Sequence, residues 1–303
     1  SRLNRAMAQS RSRSFWRGMS DGAYLSTYYT TRDSLRIPQV SVIHDMIFEM
    51  FPYATVGERQ QQHKRDKQRA IEAADLLVCP SQSACDDLGA LVPSAIGRSC
   101  VIPWGVETWF RPDEDAARLM QFRRQACNGA PYLLYVGGRS GTKNFAALLI
   151  AYSRWRSRKE FALLSVGGGA FSNEENCLLR ALGVEGSVHS MPSLDNATLV
   201  TAYSGAMGCV MPSLYEGFGF PVAESLACGT PVACARVSSL PEVGGAAAIY
   251  FDPCNQDELL FALDLLAVAD RNDGRLLAGF ERARARDWDV VAAEFEVRMR
   301  SLA

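Results

Sequence analysis

The sequence predicts an α/β protein in which helices cover both faces of parallel sheets. Two observations predict this fold class: short apolar runs alternate with helical patterns along the chain, and the apolar runs show no regular polar alternation. Apolar runs of that kind are typical of parallel strands that are buried on both faces. With 303 residues the chain predicts two domains, at roughly 150 residues per domain.

The second half of the chain carries the clearer alternation. Strands are predicted, in chain order, at 132–136, 161–166, near Val188, and at 209–211, 231–234 and 249–251. Helices are predicted at 144–155, 173–182, 195–204, 220–227, 256–269 and from Asp289 onward. Asp195 and Asn255 stand at the starts of two of these helices, where their side chains can cap the first turn.

The first half follows the same order with weaker signals. Strands are predicted at 40–43, 76–79 and 100–102, and helices at 58–74 and after 80–83. Proline and charge cluster at 111–115, which we interpret as the exit from the first domain.

The sequence therefore predicts two Rossmann-like domains. The first covers residues 1–118 and the second 119–286, and a closing helix at 287–303 is expected to pack back on the first domain. In such folds, ligands bind beyond the carboxyl ends of the strands, so we expect the site in the crevice between the domains.

Composition excludes several classes of protein. The formal net charge is −1, from 32 basic and 33 acidic side chains, which predicts no nucleic-acid partner. The nine cysteines include no C-x-x-C and only three histidines are present, so neither a disulfide framework nor a metal site is expected. No apolar run approaches the ~18 residues of a membrane span, and no signal peptide is recognisable. A cytoplasmic protein is expected.

Two glycine-containing loops follow predicted strands. The loop at 137–144 places Arg139 and Lys143 beside a helix start, which is how proteins hold a phosphate or diphosphate. A glycine turn with two solvated cations explains the same residues about equally well. The loop at 167–169 consists of three glycines, which can lie against a flat group such as a nucleotide base, although a tight turn explains them better.

A third loop, at 212–224, carries the strongest signal. Pro221 stands in the first turn of a predicted helix, where its missing N–H costs nothing. Glu216 precedes that helix and Glu224 lies about one turn inside it. The N–H groups at the helix start can face an anion, and the carboxylates can accept hydrogen bonds from sugar hydroxyls. A capping role is the alternative for Glu216, whereas Glu224 lies among apolar residues, where an unpaired carboxylate is costly.

These residues resemble the retaining GT-B glycosyltransferases of family four. The resemblance rests on the E-x7-E pattern of Glu216 and Glu224, inside the matching segments 212–221 and 227–232. Further matches are, in chain order, His44-Asp45, 102–106, 135–145 and 239–244. Trp104 stands where the family more often has asparagine. The resemblance covers roughly residues 24 to 300, and it is more specific in the second domain.

The resemblance implies a role for each matching residue. Glu224 would hold the ribose hydroxyls of a nucleotide, and Glu216 the hydroxyls of the transferred sugar. Arg139 and Lys143 would stabilise the diphosphate. His44 would meet the sugar, with Asp45 as its neighbour or as an acceptor contact. The other donor-binding positions implied are Gly138, Gly217, Phe218, Gly219 and Phe220, with Gly167, Gly168 and Gly169 lining the base pocket; Glu216, His44, Arg139 and Lys143 are the expected catalytic residues.

Such a site can work without a metal, because cations and a helix terminus can stabilise the leaving phosphate. No cofactor is therefore expected. The one D-x-D string, Asp287 to Asp289, lies at the start of the closing helix and is interpreted as a cap with Trp288 as an anchor.

A basic stretch lies on the first domain's long predicted helix. A solvated helical face explains it better than peripheral contact with an anionic membrane, which would place the protein at the membrane's inner face. The stretch comprises Arg59, His63, Lys64, Arg65, Lys67 and Arg69.

The function hypothesis is metal-independent, retaining transfer of a sugar from a nucleotide-diphosphate donor to a glycan, a lipid-linked sugar or a small hydroxylated molecule. Resemblance to polysaccharide mannosyltransferases favours GDP-mannose slightly, with UDP- and dTDP-sugars as alternatives. A GT-B nucleotide-sugar 2-epimerase and a non-catalytic nucleotide-sugar binding protein are the other hypotheses. The oligomeric state is open. The arginine-rich start without a methionine, and the late position of 24–30 in the family pattern, lead us to expect that the first domain is incomplete at its start.

Overall fold

The computed structural model describes residues 22–32, 37–55 and 57–302, so the arginine-rich start lies outside the described residues. The described part forms two compact units. One contains the described residues up to Trp104 together with those from Asp289 onward, and the other is Gly105–Trp288.

Both units contain a parallel sheet. The strands are β1 (Tyr24–Ser26), β2 (Gln39–Val42), β3 (Leu76–Cys79), β4 (Ser99–Val101), β5 (Tyr132–Val136), β6 (Ala162–Val166), β7 (Val188–Met191), β8 (Gly208–Met211), β9 (Val232–Ala235) and β10 (Ile249–Phe251). The α-helices are α1 (Ile47–Met50), α2 (Glu58–Ala73), α3 (Gln82–Leu91), α4 (Ala116–Cys127), α5 (Phe145–Arg154), α6 (Asn173–Leu182), α7 (Asn196–Gly205), α8 (Phe220–Ala227), α9 (Leu240–Gly244), α10 (Gln256–Ala267), α11 (Gly274–Arg284) and α12 (Trp288–Arg300).

The first unit has a four-stranded sheet in the order β1-β2-β3-β4, with every pair parallel. Its core lies where α2 and α3 pack on this sheet, around Ile43, Ile71, Leu77 and Leu88. In α12, the ring of Phe295 stacks on that of Trp104 at 6.1 Å.

One prediction for α2 is wrong. The sequence places Lys67 on a basic, solvent-facing stretch, but this side chain is fully buried. Its ammonium lies 2.8 Å from a carboxylate oxygen of Glu49 and 3.5 Å from one of Asp45. Two acidic side chains from the segment that follows β2 thus compensate the charge of the buried lysine.

The second unit has a six-stranded parallel sheet in the order β10-β9-β8-β5-β6-β7. The central strands β5 and β6 are buried at nearly every position, as the uninterrupted apolar runs predict. The caps are confirmed: the Asp195 carboxylate accepts from the N–H of Thr198, and the Asn255 side chain accepts from the N–H groups at the start of α10.

The compact units divide earlier than the boundary that the sequence places at 118. Residues after Trp104 pack within the second unit instead. The N–H of Asp113 donates to Ser204 Oγ at 2.9 Å, and its carboxylate accepts from Thr201 Oγ1 at 2.9 Å. These bonds fix the segment before α4 to α7.

Within the described ranges, the structure has no helix whose length and hydropathy would let it traverse a bilayer.

Candidate active site

The loops that follow β5 and β8 lie where the strand order of the six-stranded sheet reverses. Strand β5 pairs with β6 on one side and with β8 on the other. In open α/β sheets such a switch point is where the carboxyl ends of the strands leave a crevice for a ligand. The two loops are joined directly: the N–H of Leu214 donates to Thr142 O at 2.7 Å, and Asn144 Nδ2 donates to Pro212 O at 3.0 Å.

An ion pair connects these loops at the centre of the candidate site. Lys143 Nζ lies 2.7 and 2.8 Å from the two carboxylate oxygens of Glu216. Glu216 is only 7% exposed, and Ser213 Oγ donates a further hydrogen bond to it at 2.7 Å. The lysine and the hydroxyl therefore compensate a carboxylate that would be costly to bury alone. The structure brings together two residues that the sequence assigns to one site.

The main chain around Glu216 is held by two serines that precede α9. The N–H of Glu216 donates to Ser238 Oγ at 2.9 Å. The hydroxyl of Ser239 lies 2.9 Å from the carbonyl oxygen of Glu216 and 2.8 Å from that of Phe218. Ser238 itself has a left-handed backbone, with φ of +46°. These bonds fix the position of Glu216 and of the segment that leads into α8.

Helix α8 begins directly after this segment. Gly219, its N-cap, has φ of +102°, and a Cβ there would lie 2.6 Å from Leu240 Cδ2, so the position requires glycine. Pro221 occupies the first turn, as predicted. Gly217, Phe218 and Phe220 lie on the same segment, whose N–H groups at the helix start form the positive end of the helix dipole.

Glu224 lies one turn into α8 and is largely buried. Its Oε2 accepts a hydrogen bond from the hydroxyl of Tyr203 at 2.7 Å. Burial raises the pKa of the Glu224 carboxyl, and the bond from Tyr203 offsets only part of this rise. The residue lines a cavity of about 290 Å³ together with Val106, Phe110, Phe220 and other residues of the second unit. A buried carboxylate beside a cavity can accept hydrogen bonds from a hydroxylated ligand.

Arg139 lies in the loop after β5, and its guanidinium contacts the loop after β6 and the first turn of α6. Nε lies 2.7 Å from Glu175 Oε1, and the two Nη groups donate to the carbonyl oxygens of 167–170. The diphosphate role that the sequence gives to Arg139 therefore stays a prediction. Gly138 is the second residue after β5, and its carbonyl oxygen accepts from the hydroxyl of Tyr135.

His44 and Asp45 belong to the first unit and lie one residue beyond the end of β2. His44 Nε2 lies 2.7 Å from Thr27 O; because a carbonyl only accepts, this nitrogen donates. The Asp45 carboxylate accepts from the N–H of Ile47 at 3.0 Å and lies near Lys67. Their roles toward sugar and acceptor stay predictions.

Several supporting residues have no role in the sequence argument. Ser213 and Ser239 lie in segments that match family motifs, yet no pattern in the sequence indicates that their hydroxyls would bond to Glu216. Tyr203 lies on α7 and reaches Glu224 from 21 residues away. A buried tyrosine near the end of a helix is an ordinary core residue, so only the fold shows these contacts.

Within the ranges that the structure describes, no group of three or more histidine, cysteine or acidic side chains is arranged to hold a metal ion. Trp288, the predicted anchor, lies with its ring 6.4 Å from that of Phe220.

Comparison with solved structures shows the fold class. Sucrose-phosphate synthase from Thermosynechococcus elongatus is similar with a TM-score of 0.77 and 23% identity, over 95% of this chain and 75% of that protein. Anabaena HepE in complex with UDP and glucose is similar with a TM-score of 0.74 and 19% identity, over 88% of this chain and 72% of that protein. The fold is thus that of GT-B glycosyltransferases, with two Rossmann-like domains.

Sequence comparison gives two informative relatives. The MMP alpha-(1->4)-mannosyltransferase of Mycolicibacterium hassiacum is 32% identical over 75% of this chain and 54% of the relative. The O-antigen chain mannosyltransferase B of Escherichia coli is 26% identical over 73% of this chain and 58% of the relative. These alignments thus span little more than half of each relative.

A family model described as glycosyl transferases group 1 matches residues 119–271, just over half of this chain. The matched range contains both loops of the switch point, with Lys143, Glu216 and Glu224. The chain belongs to the glycosyl transferases group 1 family.

Proposed function

We propose that the protein transfers a hexosyl group from a nucleoside-diphosphate sugar to a hydroxyl acceptor. The observation that carries this proposal is the Lys143–Glu216 ion pair at the switch point of the second unit's sheet. Glu216 lies shortly before α8, so a cation, a carboxylate and a helix N-terminus belong to one site. The cation and the helix terminus suit a diphosphate, and the carboxylate suits sugar hydroxyls.

The proposed chemistry assigns each group one task. The bond between the sugar's anomeric carbon and the diphosphate breaks, and the acceptor oxygen bonds to that carbon. Lys143 and the N–H groups at the start of α8 stabilise the negative charge that develops on the leaving diphosphate. Glu216 orients the sugar through its hydroxyls, and Glu224 holds the ribose. The acceptor's proton ends on the leaving phosphate. Retention of configuration and independence of metal ions are parts of this proposal that the family resemblance suggests.

Mannose is the sugar that we propose first. Both relatives described above are named mannosyltransferases, and one of them is 32% identical to this chain. GDP-mannose is accordingly the first donor to test, and UDP- and dTDP-sugars are the alternatives. The acceptor class, a glycan, a lipid-linked sugar or a small hydroxylated molecule, and the contacts of His44 and Asp45 with it are proposals that rest on the family resemblance.

The proposal is tested by measuring product formation with GDP-mannose, UDP-glucose and dTDP-glucose for the wild type, Lys143→Ala and Glu216→Ala. We expect each variant to lose about 10²–10³-fold in turnover, because Lys143 stabilises transition-state charge and Glu216 positions the sugar for reaction. Lys159→Ala, which removes an exposed lysine from the same unit, is the matched control and should keep full activity.

Three outcomes separate the hypotheses. Wild-type turnover by both site variants contradicts the assignment of the site. Isomerised donor without transfer indicates an epimerase. Nucleotide binding by calorimetry with neither transfer nor donor hydrolysis indicates a binding protein.

A further inference from the structure

The guanidinium of Arg139 is enclosed by the loop that follows β6. Nη1 donates to the carbonyl oxygens of Gly167 at 2.7 Å and Gly169 at 3.1 Å. Nη2 donates to those of Ala170 at 2.9 Å and Gly168 at 3.4 Å. Four consecutive carbonyl groups thus converge on one cation.

The other side of the guanidinium faces α6. Its Nε and Nη2 lie 2.7 and 3.2 Å from the two carboxylate oxygens of Glu175, and the ring of Phe171 lies 4.8 Å below its central carbon. Glu175 also closes the capping box of α6, because its Oε2 accepts from the N–H of Ser172 at 2.7 Å. All five N–H groups of the guanidinium therefore have acceptors, and its side chain is only 4% exposed.

The same contacts explain the three glycines. Gly167, Gly168 and Gly169 have φ of +92°, +71° and +75°, a left-handed backbone that other residues rarely adopt. A Cβ on Gly168 would lie 2.8 Å from Arg139 Nη1. A run of glycines is costly in entropy to order, and converging carbonyl dipoles repel one another. The guanidinium supplies the charge that holds this run in one conformation.

We propose that Arg139 is a positioning residue, which fixes the loop 167–170 for the nucleoside half of the donor and does not bind the diphosphate. This inference rests on the proposed function and on the base-pocket role that the family resemblance implies for Gly167, Gly168 and Gly169. Turning the guanidinium toward a diphosphate would break its bonds to four carbonyls and leave the Glu175 carboxylate without its cation. Lys143, whose ammonium lies on the Glu216 side, is the residue that serves the diphosphate.

The first test needs no ligand. Hydrogen–deuterium exchange of the segment 166–172 is compared in the wild type, Arg139→Lys, Glu175→Gln and the control Arg156→Lys, which changes an exposed arginine of the same unit. Lysine has three N–H donors and cannot replace the five of arginine. We expect faster exchange in this segment for Arg139→Lys and Glu175→Gln only. Unchanged exchange in both variants overturns the positioning role.

The second test separates the two halves of the donor. Calorimetry measures binding of inorganic diphosphate and of UDP, GDP and dTDP. Arg139→Lys and Glu175→Gln should weaken the binding of the nucleoside diphosphates by about ten- to hundredfold, as expected for loss of a charge-assisted pair. Inorganic diphosphate should bind both variants with its wild-type affinity, whereas Lys143→Ala should weaken the binding of both kinds of ligand. In transfer assays the two variants should raise the donor KM and leave kcat nearly unchanged.

Equal losses for inorganic and nucleoside diphosphate in Arg139→Lys, with Glu175→Gln unaffected, overturn the proposal and make Arg139 a diphosphate ligand. If the wild type binds none of the three nucleotides, the proposed function fails, and the exchange experiment still decides whether Arg139 holds the loop.

Discussion

At the scale of single residues, the candidate site depends on how two buried carboxylates are compensated. Glu216 has an ammonium at 2.7 Å and a hydroxyl at 2.7 Å. Glu224 has one hydrogen bond from Tyr203 and lies among apolar residues of α8. Because a neutral donor compensates a carboxylate less than a cation does, Glu224 is the carboxylate whose burial destabilises the fold.

We expect Glu224→Gln to stabilise the protein and to weaken nucleotide binding. Burial raises the Glu224 pKa above its usual 4.5, so the unfolded chain ionises first as the pH rises. The wild type therefore loses stability between pH 4.5 and the raised pKa, whereas the neutral glutamine loses none. The variant should therefore be more stable than the wild type near neutral pH. Urea denaturation at acid and neutral pH measures this difference.

The pH dependence is the discriminating part of that experiment. Below the usual carboxyl pKa the two proteins should unfold at the same urea concentration. Glu185→Gln, a change on the exposed surface of the same unit, should show no stabilisation at either pH. A variant that is less stable than the wild type near neutral pH would show that the charged Glu224 is stabilised by its surroundings, contrary to this account.

Residue-level prediction from the sequence succeeds where one local pattern determines the contact. The start of α8 at Phe220 and the caps at Asp195 and Asn255 depend on neighbours in sequence, and all are confirmed. The Lys143–Glu216 distance depends on two loops 73 residues apart, so the sequence could assign both to one site but not predict their contact. Arg139 has the same motif context as Lys143, and only Glu175 and the carbonyls of 167–170 determine where it turns.

At the scale of elements, the predictable strands are those buried on both faces. β5, β6, β8 and β9 appear as apolar runs because nearly all of their side chains are inside. The sequence does not predict β1, which has three residues, or the charged helices α4 and α11. Their place in the fold comes from tertiary contacts, such as the bonds of Asp113 next to α4, which composition does not show.

The first unit also contains a buried charged side chain. Lys67 on α2 has no exposed surface, and its ammonium contacts Glu49, Asp45 and the carbonyl oxygen of Asp45 at 2.8 Å. The rings of Tyr29 and Phe48 lie 5.7 and 5.8 Å from it. One side chain thus ties α2 to the segment that contains Asp45 and follows His44.

We expect Lys67→Met to destabilise the first unit by about 3–5 kcal/mol, because removing one partner of a buried pair leaves the other charge uncompensated. Chemical denaturation measures this loss. The control Arg69→Met, on an exposed position of α2, should change stability by less than about 0.5 kcal/mol. Adding Glu49→Gln to Lys67→Met should recover part of the loss, because it removes one of the stranded carboxylates. A Lys67→Met protein as stable as the wild type would show that the pair contributes nothing.

At the scale of the whole molecule, net charge limits how a negatively charged donor can be bound. The chain carries a formal charge of −1, so no overall field attracts a diphosphate. In the proposed function, attraction therefore comes from local groups, and in the second unit we propose Lys143 and the N-terminus of α8 for this role. Both come from loops at the sheet's switch point, a position that the strand order determines; the alternation of strands and helices predicts only that ligands bind beyond the carboxyl ends of the strands.

This local arrangement leads us to expect that sugar transfer needs no added metal ion. A lysine and a helix terminus can stabilise the negative charge on the leaving diphosphate without a bound metal ion. The protein is treated with EDTA, and its transfer rate is then compared with and without Mg²⁺ or Mn²⁺. We expect the same rate in all three conditions, and we expect Lys143→Ala to keep its reduced turnover when either ion is added. Transfer that stops in EDTA and returns with Mn²⁺ would contradict this prediction, because a metal would then supply the charge assigned here to Lys143.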